Sequence, residues 1–345
     1  MCGIAGFFSN KKDHNINLKT LGKNFLKILN HRGPDDNGIW IDESNQNLLA
    51  HTRLSIIDVD KRSKQPMFDY KRNLIIVFNG EIYNWRFLKH ELQKNGYQFS
   101  TESDTEVLLK GYDFWKSEIL NKIEGMFAFA IYDTHTKQLF ASRDRLGIKP
   151  LYYYHQDETF IFASEFKAIA DSPGFQKDLN LDAINHYLTL DYIPAPHTID
   201  QKIKKLEAGH YLTLQESTLK LSQYWDIPTT QTDTKQTLND QIEQLDTRLN
   251  SSIKSRLMSD VPLGVFLSGG LDSSIIAAIT KQYKPDLKTF SIHFKEESYD
   301  ESQYSAIASQ HIGTHHTSAL FTHSTLDSQF ESLLDNMNEP FADPS

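Results

Sequence analysis

The sequence predicts an α+β layered domain followed by an α/β domain with a parallel sheet. Three observations predict this. A chain of 345 residues exceeds one ordinary domain. Its composition breaks near Pro228, where a stretch rich in Thr, Gln and Asp runs to about Asp240 with almost no apolar residue and reads as a linker. The pattern of elements also changes there: short apolar runs separated by turns come before it, and alternating strands and helices come after it. The resulting division is 1–228, a linker at 229–240, and 241–345.

In the first domain, Leu74 to Phe78 reads as a buried strand stopped by Asn79-Gly80. Met126 to Tyr132, Gln138 to Ser142 and Phe160 to Ala163 read as further strands. Helices are predicted over Leu18–Asn30 and Trp85–Asn95, the second ended by Gly96. After the linker, Ile242, Leu245, Leu249, Ile253 and Leu257 recur at helical steps and predict an amphipathic helix. Pro262 to Leu267 and Thr289 to Phe294 read as strands, Ser273 to Tyr283 and Glu301 to His311 as helices.

Hydrophobic residues make up 39% of the chain and aromatics 12%, enough for real cores. The formal charge of −9 argues against nucleic acid as the main partner, because a phosphate backbone attracts a basic face. No apolar run approaches a membrane span, and the N-terminus reads without a signal peptide. The single cysteine excludes an internal disulfide and argues against a cysteine-based zinc cluster. A soluble cytoplasmic protein is expected.

That cysteine is Cys2. A small residue at position 2 normally allows removal of the initiator Met. The cysteine then carries a thiol beside an α-amine whose reference pKa lies near ~7.7–8.0, so the amine can act as base for its own side chain. Taken alone, Cys2 reads equally as a small buried hydrophobe. Further segments bear on it. Arg53 reads on its own as a surface ion-pair partner, with a forked guanidinium. Asn79-Gly80 offers hydrogen-bond donors with close backbone access, or a turn pair. Ser103-x-x-Glu106 is a capping box before an apolar run, with Asp104 in the first turn.

Met1-Cys2-Gly3-Ile4-Ala5-Gly6, His31-Arg32-Gly33-Pro34-Asp35, Arg53-Leu54-Ser55-Ile56, Asn79-Gly80-Glu81-Ile82-Tyr83-Asn84 and Ser103-Asp104-Thr105-Glu106 together resemble class II glutamine amidotransferases, in family order and spacing. The resemblance implies a four-layer αββα N-terminal-nucleophile fold with Cys2 as nucleophile. It implies an oxyanion hole from Asn79 and Gly80, and a glutamine site from Arg53, Leu54, Ser55, Ile56, Ile57, Asn79, Gly80, Glu81 and Asp104. The segment from His31 would fold over bound glutamine. Arg143 to Tyr153 and Ala163 to Ala168 also look family-like; packing, a Gly-Pro turn and buried ion pairs account for them.

In the second domain, Leu267-Ser268-Gly269-Gly270-Leu271-Asp272-Ser273-Ser274 lies between a predicted strand and a predicted helix. Two glycines, three serines and a helix start form an anion cradle, or a serine-capped turn; it is not a Walker A loop. Asp272 beside phosphates requires a bridging Mg²⁺. The S-G-G-x-D-S run resembles the pyrophosphatase (PP) loop of adenylating enzymes. With the N-terminal cysteine it gives the layout of the glutamine-hydrolysing asparagine synthetase family. The resemblance implies ATP contacts from Leu267, Ser268, Gly269, Gly270, Asp272, Ser273 and Ile292, with Asp272 reaching Mg²⁺ through pyrophosphate. It implies glutamine, aspartate and ATP as substrates, a β-aspartyl-AMP intermediate, internal ammonia transfer, and a homodimer as is frequent in the family. In the family, Glu339-Pro340-Phe341-Ala342-Asp343-Pro344-Ser345 is followed by a strand and a Ser-Gly-Asp-Gly-Gly-Asp-Glu-like loop. The given sequence stops before them, so a truncated PP-loop domain is expected. The alternatives are an amidotransferase acting on another carboxylate, or a chain with glutaminase activity or glutamine binding only.

Overall fold

The computed structural model describes residues 1–10, 16–44, 46–58, 60–229, 236–295 and 300–342. The chain divides into two compact units, Met1–Pro228 joined by the segment from Asn338 onward, and Thr229–Met337.

In the first unit, β1 (Gly3–Ser9) starts one residue after Cys2. The chain then runs through α1 (Leu18–Leu29), β2 (Asp36–Ile41), β3 (Asn47–Arg53), β4 (Met67–Asp69) and β5 (Leu74–Ile82). Next come α2 (Trp85–Lys94), α3 (Asp104–Trp115), α4 (Ile119–Lys122), β6 (Gly125–Asp133), β7 (Gln138–Arg143), β8 (Tyr152–Gln156) and β9 (Thr159–Ala163). The unit continues with α5 (Phe166–Ala170), α6 (Leu181–Leu190), β10 (Ile203–Lys205), β11 (His210–Gln215) and β12 (Thr218–Gln223). Two six-stranded antiparallel sheets form, ordered β10-β8-β9-β1-β3-β2 and β12-β11-β7-β6-β5-β4.

The period-2 alternation of strand side chains sets the layers. Ile4 and Phe8 point from β1 into a core shared with Val77, Ala128, Ala130 and Leu139 of the other sheet. Ala5 and Phe7 point the opposite way, against Leu18, Leu21, Phe25 and Leu29, the apolar stripe of α1. Asn17 caps that helix by accepting from the Thr20 amide. On the far side, α3 packs on β4 and β5, and α2 packs on α3. The fold is therefore the four-layer αββα sandwich that the resemblance implies.

Two local expectations change. Asn79-Gly80 does not end a strand: β5 runs on to Ile82, paired with β6 through Gly80↔Phe127 and Ile82↔Gly125. A Cβ at Gly80 would lie 2.2 Å from the Met126 carbonyl oxygen, so glycine serves close strand approach here rather than a turn. Ser103 caps α3 by accepting from the Thr105 amide, but the reciprocal half of the box is missing. Glu106 reaches further back, to the amides of Ser100 and Thr101 and to Lys110.

The loop after β7 winds around one buried carboxylate. Asp144 Oδ1 accepts from the amides of Leu146 and Ile148, and Oδ2 from those of Phe127 and Lys149, all within 3.1 Å. Arg143 donates to the carbonyls of Gly147, Lys149 and Leu206. In this loop the arginines grip backbone; the buried ion pair expected of the family-like segments forms at Glu165, with Arg32 at 3.0 Å.

The second unit comprises α7 (Leu238–Arg256), β13 (Gly264–Phe266), α8 (Leu271–Tyr283), β14 (Lys288–Phe294), α9 (Ser302–Ile312), β15 (His315–Phe321) and α10 (His323–Asn336). Its sheet is parallel, ordered β13-β14-β15. A capping box of Thr237 and Asp240 starts α7 inside the stretch read as linker; residues 230–235 of that stretch lie outside the described residues. Of the predicted apolar face, Ile253 is buried while Ile242 and Leu245 are exposed. Residues 338–342, read as second-domain sequence, pack on the first unit. Half-buried Glu339 pairs with Lys205 at 2.7 Å and accepts from the Ile199 amide, and the Ala342 amide donates to the Asp191 carbonyl. Among the described residues no helix is long and apolar enough to cross a membrane.

Asp144→Ala leaves four amides without their acceptor, those of Phe127 and Lys149 buried. It is expected to lower stability by about 3 kcal/mol or more, read as a drop in the urea midpoint, with Asp144→Asn falling between variant and wild type.

Candidate functional site

A cavity of about 200 Å³ opens at the end of β1 and β5. It gathers Cys2, Arg53, Leu54, Ile56, Ile57, Asn79, Gly80, Glu81 and Asp104. Of the expected glutamine-site residues only Ser55 stays out of its wall; the Ser55 amide is held by Asp35 Oδ2 at 2.8 Å. The turn after α1 does not line the cavity either. His31 and Arg32 sit behind the nucleophile, both bonded to Glu165, with Arg32 Nε donating to the Cys2 carbonyl at 3.0 Å.

Cys2 Sγ accepts from the Leu54 amide at 3.4 Å and lies 3.7 Å from the Leu54 carbonyl. Burial pushes the thiol up; the Leu54 amide and the terminal amine pull the other way. Burial lowers the terminal amine of Met1, with Arg32 and Lys149 acting in the same sense. An amine so placed is readily neutral and able to take a proton.

The donors come from β5. Alternate amides of a strand point to the same edge. Gln65 Oε1 accepts from the Phe78 amide at 2.6 Å, and Asp104 Oδ2 from the Ile82 amide at 3.0 Å. The Gly80 amide lies between them on that edge. Phe127, opposite Gly80, spends both its amide and its carbonyl on Asp144, so no ladder bond links it to Gly80. Strand β4, the neighbour on the Gly80 side, ends its pairing at Ile76. The Gly80 N–H is thus directed at the cavity. Beside it Asn79 is 1% exposed, and its Nδ2 and Oδ1 are both without a partner among the described residues. A buried amide left unpaired in this way costs free energy and points to a ligand.

Arg53 is held by the carbonyls of Asp58 and Asp60 at 2.5 and 3.0 Å. Across the cavity, burial pushes Asp104 up to about 7, aided by Glu81 and opposed by the Ile82 amide. Burial also raises Glu81, with Lys149 opposing. Lys149 was read from sequence as structural. Its side chain instead lines the cavity, brought there by the loop around Asp144.

In the second unit, a cavity of about 290 Å³ is lined by Leu267, Ser268, Phe290, Ile292 and Ser305. Gly269, Gly270, Asp272 and Ser273 do not line it. Gly269 has φ +87, and a Cβ there would lie 2.4 Å from the Tyr304 carbonyl carbon, so only glycine fits. Asp272 falls in the first turn of α8 rather than in the loop. Gly270 caps that helix without a side-chain hydrogen bond, while Ser268 and Ser273 bond each other at 3.0 Å. Among the described residues no cluster of three metal-ligating side chains forms.

The two-sheet sandwich and its cavity fit the amidotransferase domain that the sequence resembles. A family model described as a glutamine amidotransferase domain matches residues 1–225, and one described as asparagine synthase matches residues 244–345. The chain is 37% identical, over its whole length, to a putative glutamine-hydrolysing asparagine synthetase 2 of Methanocaldococcus jannaschii, covering 70% of it. It is 34% identical over its whole length to asparagine synthetase 1 of Bacillus subtilis, covering 54% of that protein. It is 39% identical over 82% of its length to asparagine synthetase B of Escherichia coli, covering 45% of that protein. The chain belongs to the family of glutamine-hydrolysing asparagine synthetases. It spans about half the length of the two bacterial relatives.

Asp104 binds its proton more tightly folded than unfolded, so its contribution to stability is full at low pH and is lost as pH rises from about 4 to about 7. The stability of Asp104→Asn relative to wild type is therefore expected to rise across that window. Denaturant midpoints of both chains at pH 4.5 and 7.5 measure it; a constant difference contradicts the burial argument.

Proposed function

We propose that this chain hydrolyses glutamine at Cys2 and supplies the ammonia to an ATP-dependent amidation of aspartate. The observation that carries the first step is the convergence of Cys2 with two unpaired donors, Asn79 Nδ2 and the Gly80 amide, on one cavity. Removal of Met1 puts the amine on Cys2. Sγ then attacks the side-chain carbonyl carbon of glutamine while its proton passes to the amine. Asn79 and Gly80 stabilise the resulting oxyanion. Collapse breaks the C–N bond, the amine returns the proton to the leaving nitrogen, and ammonia departs. Water then cleaves the thioester to glutamate. Arg53 takes the substrate α-carboxylate, and Asp104 with Glu81 takes its α-ammonium. A bound ammonium stabilises the ionised form of Asp104, which overcomes its raised pKa. Leu54, Ile56 and Ile57 line the cavity with apolar surface.

The second unit fits a nucleotide. The uncapped start of α8 and the bare backbone at Gly269-Gly270 suit phosphate oxygens, and the cavity at Leu267, Ser268 and Ile292 suits the rest of ATP. Asp272, in the first turn of α8, would hold Mg²⁺ through the nucleotide's phosphates. When bound, Mg-ATP would pass its adenylyl group to the aspartate side chain with release of pyrophosphate, and ammonia would then displace AMP. Residues 1–228 carry the glutaminase and 241 onward the synthetase, in line with the matched models. The reading places the protein in the cytoplasm, where its substrates meet.

Cys2→Ala is expected to abolish glutamate release from glutamine. Asn79→Ala is expected to lower kcat by about 10²–10³-fold with a smaller change in KM. Glutamate formation that survives Cys2→Ala sinks the reading.

A further inference from the structure

Lys149 takes no part in the steps just described, yet it lies in the wall of the same cavity. Its position is fixed from two sides, its amide donating to Asp144 and its carbonyl accepting from Arg143 Nε at 2.8 Å. The residue is 5% exposed. Among the described residues its ammonium makes no hydrogen bond or ion pair. Buried lysines are almost always paired, because an unpaired charge away from water is costly. It shares the wall of one cavity with Met1, Cys2 and Glu81, and its own loop closes on Asp144.

We propose that Lys149 is an electrostatic positioning residue of the glutaminase step, whose ammonium keeps the terminal amine in its proton-accepting form and Glu81 ionised. This rests on the glutaminase reading. A fixed cation disfavours a second positive charge nearby and favours a negative one. Beside burial, Arg32 and Lys149 oppose protonation of the terminal amine, while Cys2 and Asp35 favour it. Glu81 is faced by Lys149 and the terminal amine, and both favour its ionised form against burial. Asp104 and Arg53 face Cys2 from the other walls. Loss of Met1 moves the amine one residue inward, onto Cys2, which itself faces Lys149. Lys149 thus biases the base and one substrate ligand together while touching neither.

The test compares Lys149→Met, Lys149→Gln and Lys149→Arg in the full chain. In the neutral variants the acid limb of kcat/KM for glutamine is expected to move up by about half a pH unit or more. Lys149→Arg is expected to keep the wild-type limb. A second arm needs no glutamine. Cys2 is the only cysteine, so the rate of iodoacetamide alkylation against pH reports its thiol alone. That profile is also expected to move up in the neutral variants, because removing a cation disfavours the thiolate. A purely structural lysine alters stability and leaves both profiles in place. The proposal is overturned by unshifted profiles in the neutral variants, or by an equal shift in Lys149→Arg. It is also overturned if both neutral variants fail to fold by circular dichroism while Lys149→Arg folds. A wild-type chain that alkylates normally but releases no glutamate defeats the glutaminase reading instead, and the alkylation arm still judges Lys149.

Discussion

Phe78, Gly80 and Ile82 send their amide hydrogens to one edge of β5, and two of the three are taken by Gln65 and Asp104. The third is left because β4 stops pairing at Ile76 and because Phe127 is turned toward Asp144. The pocket depends on that parity. A slip of one residue between β5 and β6 would send the amides of Asn79 and Glu81 to the edge and turn their side chains to the opposite face. Asp144 therefore does more than close a loop. By binding Phe127 it fixes which residue of β6 faces Gly80, and by binding Lys149 it sets a cation in the same wall.

Much of the scaffold was legible because its signals are local. The strands at 126–132 and 160–163 are apolar runs bounded by turn residues. The stripe of α1 repeats at helical spacing, and Cys2, Arg53, Asn79 and Asp104 come in a recognisable order. What was not legible depends on partners distant in the chain. Asn79-Gly80 has turn chemistry, and only the ladder with β6 overrides it. Glu106 has capping-box spacing, but Ser100 and Thr101 offer it better amides. Lys149 looks like any lysine in a Gly-Pro loop until Asp144 aims that loop at Cys2. Glu339 looks like an exposed acid until Lys205 and Ile199 bind it.

The second unit follows the same division. Alternating strands and helices announced a parallel sheet, and the glycines between β13 and α8 announced a tight approach, which Gly269 fulfils against Tyr304. The periodicity of α7 was real, but amphipathic spacing states only which face can be covered. In the described residues Ile253 is covered and Ile242 is not.

Among the described residues, several polar groups around Cys2 are left without partners: both amide atoms of Asn79, Nη2 of Arg32 and the ammonium of Lys149. Each weakens the scaffold, since an apolar residue of similar shape would escape the desolvation cost. That weakness is a means of selection. A ligand that presents the complementary atom restores a missing bond, while a near-isostere that lacks it leaves the orphan buried and is rejected by more than its lost contact alone. The cavity is thus a set of deliberate instabilities, and the molecule that resolves most of them at once is the one it discriminates in favour of.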